Sequence, residues 1–174
     1  MPAVGIIMGS DSDLMIMQEA VDVLEEFGVS YDVTVCSAHR LPKETADYAL
    51  TAEERGVMVI IAGAGGAAHL PGVIAAYTIL PVVGVPIKTS TLSGLDSLYS
   101  IVQMPKGIPV ATVAINGSAN AALLAIEMIA IKDAGLREKL FLYRQNMAQN
   151  VLEKDRKLKE LGIKDYLLHK GDQK

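Results

Sequence analysis

The sequence predicts an α/β protein: a three-layer α/β/α sandwich built on a doubly wound parallel sheet and followed by a long C-terminal helix. Three observations carry this. Short apolar runs alternate with segments whose apolar residues recur at helical spacing, as in a βαβ chain. The run Val57–Ala62 (Val-Met-Val-Ile-Ile-Ala) is apolar on both faces, as parallel strands covered by helices are. Glycines and prolines fall at the joints between these pieces. With 174 residues the chain fits a single domain with one core.

Each element has its own local signal. Val4–Met8 is a short apolar run ending at Gly9, hence a buried strand. Leu14, Met17, Val21, Leu24 and Phe27 then recur at helical spacing. Ser10, Ser12 and Asp13 are available to cap that helix, and Gly28 ends it. Tyr31–Cys36 is the second strand. A helix follows from Pro42 to about Arg55, with proline suited to its first turn and Gly56 just past its end. Val57–Ala62 is the third strand, and a Gly-rich turn leads to a helix around Pro71–Tyr77. Pro81–Val85 is the fourth strand, Leu95–Val102 a helix, Val110–Ile115 the fifth strand and Asn120–Ile131 a further helix. A last helix runs from about Leu136 to Leu161, with Leu136, Leu140, Tyr143, Met147 and Val151 as its apolar stripe. Residues 1–163 are expected to form one domain, and 164–174 a loose tail.

Composition narrows the function. With 16 Lys and Arg against 20 Asp and Glu, the net charge of −4 and the absence of a basic run argue against a nucleic-acid or anionic-membrane partner. Half of the residues are hydrophobic, so a disordered chain is excluded. Cys36 has no cysteine to pair with, and Met1-Pro2-Ala3-Val4 does not open a secretory signal, so a cytoplasmic protein is expected. The charges are unevenly placed. Val57–Ile131 contains only Lys88, Asp96, Lys106 and Glu127, whereas Lys132–Lys174 contains 18 charged residues. A single globule cannot hide so long an uncharged stretch, because helices on a sheet normally keep a polar face. A homo-oligomer with large apolar interfaces is expected. A transmembrane reading of Val57–Ile87 fails because Gly63, Gly65, Gly66, Pro71, Pro81 and Pro86 cut it into short pieces.

Ligands of an open parallel sheet bind beyond the carboxyl ends of its strands, near the reversal of strand order. The polar residues of this apolar chain gather there. Gly9-Ser10-Asp11-Ser12-Asp13 follows the first strand, where backbone N–H groups, a helix N-terminus and serine hydroxyls suit a phosphate. The same residues would also serve as an ordinary cap. Asp13 would repel a phosphate and fits ribose hydroxyls better, which hints at a sugar phosphate or ribonucleotide. Ser37-Ala38-His39-Arg40 follows the second strand. Arg40 can grip a phosphate with two prongs, and its charge tends to keep His39 neutral and able to accept a proton. Gly63–His69 matches the spacing of a dinucleotide fingerprint, but no acidic residue follows where the ribose would need one. It reads better as a loop of tiny side chains presenting N–H groups to a carboxylate or carbon dioxide. No Walker-type loop, phospho-acceptor Asp or metal-ligand spacing is present.

These segments, together with Asp96-Ser97-Leu98-Tyr99-Ser100-Ile101-Val102-Gln103-Met104-Pro105, resemble the PurE family of carboxyaminoimidazole ribonucleotide mutases of purine synthesis. The likeness runs from about Val4 to Ala134, and Gly63–Gly72 resembles the mutase class rather than the class that carboxylates aminoimidazole ribonucleotide directly. It implies a flavodoxin-like fold and an octamer with active sites between subunits. Ser10, Asp13 and Arg40 would bind the ribonucleotide, with Ser12, Ser37 and Ala38 adding contacts. His39 would be the acid/base and His69 its catalytic neighbour. His69 with Gly65, Gly66 and Ala67 would enclose the migrating carboxylate, and no cofactor would be needed. Two departures stand out: Asn116-Gly117-Ser118-Ala119 is shorter than the family's Gly-Lys-Ala-Gly loop and lacks its lysine, and Tyr77 stands where lysine is common. Direct carboxylation, or a noncatalytic flavodoxin-like ribonucleotide-binding module, are the competing readings.

Overall fold

A computed structural model describes residues 1–171 of the chain. The chain divides into two compact units, with the boundary between Asp133 and Ala134. In the first, five strands form one parallel sheet: β1 (Val4–Met8), β2 (Tyr31–Val35), β3 (Val59–Gly65), β4 (Val82–Ile87) and β5 (Ala111–Thr112). Their order is β2-β1-β3-β4-β5, the flavodoxin-like arrangement, and it reverses between β1 and β3. β1, β3 and β4 are buried along nearly their whole length, which is why they read as continuous apolar runs.

Helices α1 (Leu14–Phe27) and α5 (Ser118–Ala130) pack together over one face. Helices α2 (Pro42–Leu50), α3 (Leu70–Tyr77) and α4 (Leu95–Val102) cover the other. Helix α1 ends as its sequence predicts, with Gly28 in the left-handed conformation (φ 71°) and its N–H returned to the last carbonyls. Ile6, Ile7, Ile60, Ile61, Ile74 and Ile126 have no solvent exposure, and each such side chain contributes about 1.5–3 kcal/mol by leaving water. The buried Ser118 hydroxyl donates to the Ile16 carbonyl and ties α5 to α1.

Some expectations differ from the structure: α2, for one, ends at Leu50 rather than near Arg55. The fifth strand is two residues long rather than six, because only Ala111 and Thr112 pair with β4. The third strand continues past Ala62 to Gly65, which carries the Gly-rich sequence into the ladder against Pro86 and Ile87. The second unit, α6 (Ala134–Gly171), is two helical stretches meeting at a kink at Gly162 (φ 73°, ψ 166°), so the first ends at Leu161 as the sequence predicts. The segment from Lys164, expected to be loose, is therefore helical through Gly171, and residues 172–174 lie outside the described residues. Ion pairs one turn apart, Lys159–Asp155 (2.7 Å) and Arg156–Glu160 (3.8 Å), line the outside of α6. Among the described residues no helix is long and apolar enough to cross a membrane.

Candidate active site

Parallel register places the strand ends abreast. Met8 is level with Val35 on one side and Gly63 on the other, and Gly65 is level with Ile87. The turns after β1, β2, β3 and β4 consequently border one cleft of about 320 Å³ at the reversal of strand order. Its lining includes Ser10, Ser12, Asp13, Ser37, Ala38, His39, Gly65, Ala67 and His69, all expected from sequence.

The turn after β1 is organised by Ser10. Its backbone is extended and its hydroxyl oxygen accepts the Ser12 N–H (3.3 Å), capping a single 3-10 turn over Asp11–Asp13. Asp13 occupies the N-cap position of α1 but makes no side-chain cap bond, contrary to the capping role read from sequence. Its carboxylate accepts the Ser12 hydroxyl (3.3 Å) and a backbone bond from Ser10, and it borders the cleft. Burial pushes the Asp13 carboxyl above the usual range, and the Ser12 bond offsets part of that rise.

The turn after β2 carries His39 and Arg40, both exposed. It is a tight turn in which the Arg40 and Leu41 N–H groups donate to the Ser37 carbonyl at 3.1 and 2.7 Å. Beneath it Cys36 is buried, as expected, with its sulfur 3.2 Å from the Thr45 hydroxyl. His39 Nε2 meets His69 Nδ1 at 2.9 Å, with the rings nearly perpendicular at 84°. One of these facing nitrogens carries a hydrogen and the other accepts it, so the two rings hold a proton between them. Arg40 does not line the cleft. Its Nη2 donates to the Gly9 carbonyl (3.0 Å), stitching the second turn to the first.

The turn after β3 departs from expectation at Gly66. This residue sits at φ 69°, and its N–H donates to the Ser97 hydroxyl (2.9 Å) rather than pointing at a ligand. Its carbonyl accepts the Ala68 N–H (2.8 Å) and the Ser100 hydroxyl (3.3 Å). Gly66 is thus a fastened corner outside the cleft lining, while its neighbours Gly65 and Ala67 border the cleft. Gly63 has a packing reason to be glycine: a Cβ there would lie 2.6 Å from the Met17 sulfur.

Ala64, Leu70, Ile87, Lys88 and Thr89 also line the cleft and had no assigned role. The sequence offered one signal for the last two, their position directly after the fourth strand. The short Asn116–Ala119 loop adds no lining residue. Asn116, at φ 59°, accepts the Lys88 N–H on its side-chain oxygen (2.8 Å) and so supports the β4 turn from behind. Tyr77 lies at the end of α3, beside a separate groove near the start of β4. Among the described residues no group of three or more His, Cys, Asp or Glu is placed to hold a metal ion.

Comparison with known proteins bears on this site. A family model described as AIR carboxylase matches residues 3–150. The N5-carboxyaminoimidazole ribonucleotide mutase of Thermotoga maritima is 59% identical over 170 residues, 98% of this chain and 99% of that protein. The mutase of Pyrococcus horikoshii is 61% identical over 166 residues, 95% and 94% of the two chains. The phosphoribosylaminoimidazole carboxylase of Candida albicans is 57% identical over 97% of this chain, which spans 30% of that longer protein. Among solved structures, Treponema denticola PurE aligns with a TM-score of 0.83 at 29% identity, covering 91% of this chain and 99% of its own. On a match that covers most of its length and relatives this close, the chain belongs to the AIR carboxylase family.

Proposed function

We propose that this chain is an isomerase-type enzyme that converts N5-carboxyaminoimidazole ribonucleotide to 4-carboxy-5-aminoimidazole ribonucleotide in purine synthesis. The observation that carries the chemistry is the His39–His69 hydrogen bond on a cleft whose border includes serine and threonine hydroxyls, small residues, the Asp13 carboxylate and Lys88. The carbamate N–C bond breaks and its electron pair passes to the exocyclic nitrogen, which takes a proton from His39. The freed carbon dioxide is attacked by C4 of the electron-rich ring, forming the new C–C bond. His39 then removes the C4 proton, restoring aromaticity and its own starting state, while His69 holds the imidazole in place through the 2.9 Å bond.

The remaining residues bind and confine. The Ser10 and Ser12 hydroxyls and Arg40 suit the phosphate, and the Asp13 carboxylate suits ribose hydroxyls. Gly65, Ala67 and Leu70 border the cleft, and once covered by a neighbouring subunit they would keep carbon dioxide next to its acceptor. Confinement replaces a bimolecular recapture by an intramolecular one. His39 and His69 are exposed in the single chain, and Ile79, Leu92 and Tyr99 are large apolar side chains left in water. Both features support a homo-oligomer, an octamer in this proposal, whose neighbouring subunits cover these surfaces. A cytoplasmic location belongs to the same proposal.

The test supplies the carbamate ribonucleotide with neither ATP nor bicarbonate and follows product absorbance. The proposal expects product at the full rate. Product appearing only when bicarbonate is added to aminoimidazole ribonucleotide would instead establish direct carboxylation, and no product under either condition would leave a binding module.

A further inference from the structure

We infer that Ser97, which touches no substrate position, is the positioning residue that sets the carboxylate wall of the cleft and thereby decides whether carbon dioxide is recaptured or lost. The inference rests on the mutase reading above. Ser97 lies in the first turn of α4 with no solvent exposure. Its hydroxyl donates to the Ile87 carbonyl (2.6 Å) at the end of β4 and accepts the Gly66 N–H (2.9 Å) after β3. One oxygen therefore joins the two turns that form the wall opposite the serine loop.

The partners are fastened nowhere else as economically. Gly66 occupies φ 69°, a region that most residues avoid, yet a Cβ there would meet nothing within 4 Å. The glycine is thus required by backbone shape alone, and that shape is held by Ser97 on the N–H and by the Ala68 N–H on the carbonyl (2.8 Å). The Ser100 hydroxyl adds a longer contact to that carbonyl and donates chiefly to the Asp96 carbonyl (2.7 Å). Next to the same helix start, the Thr89 hydroxyl donates its one hydrogen to the Asp96 carboxylate, whose oxygens lie 2.9 and 3.0 Å away. Ile87, Thr89, Gly65 and Ala67 line the cleft, so α4 governs its wall while presenting no side chain to it. Removing the Ser97 hydroxyl leaves the half-buried Gly66 N–H without its partner and takes a donor from the Ile87 carbonyl, and the corner relaxes.

A loosened wall changes the fate of an intermediate more than the affinity for the ribonucleotide. The leak is balanced: the carbamate N–C bond breaks, carbon dioxide departs, the nitrogen takes a proton from His39, and His39 regains one from water. The products are aminoimidazole ribonucleotide and carbon dioxide. Ser97→Ala should lower kcat for mutase product about tenfold with KM changed less than about twofold, and should release a measurable fraction of turnovers as aminoimidazole ribonucleotide. Ser97→Cys, which keeps a weaker donor and acceptor at the same place, should leak in the same direction but less. The experiment gives the purified full-length variants the carbamate ribonucleotide well below their melting temperatures and quantifies both ribonucleotide products. If Ser97→Ala does not accumulate as folded protein, Ser97→Cys decides by the same partition. Variants that melt lower but partition like the unaltered enzyme would overturn the inference. An unaltered enzyme that makes no mutase product would overturn the underlying reading instead.

Discussion

The turns after β2 and β3 face each other through the His39–His69 bond, yet they are built in opposite ways. The β3 turn leaves a central strand buried up to its last residue and is fastened from behind by Ser97 and Ser100. The β2 turn leaves an edge strand whose Val33 and Val35 are exposed, and beyond its local backbone bonds it is joined to the rest of the cleft by His39 and Arg40 themselves. Under the proposed function the proton-moving group sits on the lightly held wall, and the confining group on the wall that is fastened from behind. A proton donor must adjust as hydrogens shift between nitrogen and carbon, whereas a trap for carbon dioxide works only if it does not move.

Substitutions on the two walls should therefore fail differently. The largest effect is expected from His39→Asn, which keeps the shape of the lightly held wall but removes its acid/base. Turnover should fall about 10²–10⁴-fold with binding retained, as read by steady-state kinetics and ligand titration. Arg40→Ala cuts both the stitch to Gly9 and the charged fork. It should raise KM about 10–100-fold, in keeping with charge-assisted hydrogen bonds worth about 1.5–3 kcal/mol, and a loss confined to kcat would contradict the phosphate role. On the fastened wall, Gly66→Ala meets no steric obstacle but forces a side chain into the left-handed region, at a cost of about 1–2 kcal/mol. Thermal unfolding should show that loss, and product analysis an increased leak.

The smallest effect separates binding from stability at Asp13. Its carboxyl is raised by burial, so the folded protein binds its proton more tightly than the unfolded chain does. The stability this confers is complete below the ordinary Asp range and disappears as pH rises through the folded value. At neutral pH the ionised group is a burden. Asp13→Asn should raise Tm slightly at pH 7, gain nothing in strong acid, and weaken ribonucleotide binding. Equal changes in Tm at both pH values would rule out this origin.

Much of the fold is legible in the residues because the signals are local. Leu95–Val102 forms the helix its spacing predicts, Gly28 ends α1, and the apolar runs become buried strands. The placement of Ser10, His39 and Gly65 on one sheet edge follows from strand alternation alone. What escapes depends on partners far along the chain. The Gly66 N–H looks available until Ser97, 31 residues away, is seen to accept it. The His39–His69 bond spans 30 residues, and the Arg40–Gly9 bond 31. The shortness of β5 is equally nonlocal: Val110–Ile115 has strand-forming composition, but only two of its residues meet β4. The helix beyond Lys164 shows the converse, since a polar composition read as loose is still compatible with helical backbone past a break at Gly162.

The most direct test of the account follows the carboxyl carbon itself. The carbamate ribonucleotide, labelled with heavy carbon in its carboxyl group, is turned over in the presence of excess unlabelled bicarbonate, and the product is weighed by mass spectrometry. A wall that traps carbon dioxide predicts that the label is retained in the C4 carboxylate. Product whose carboxylate matches the unlabelled bicarbonate would show that the carbon dioxide equilibrates with solvent, and confinement in this cleft would be contradicted.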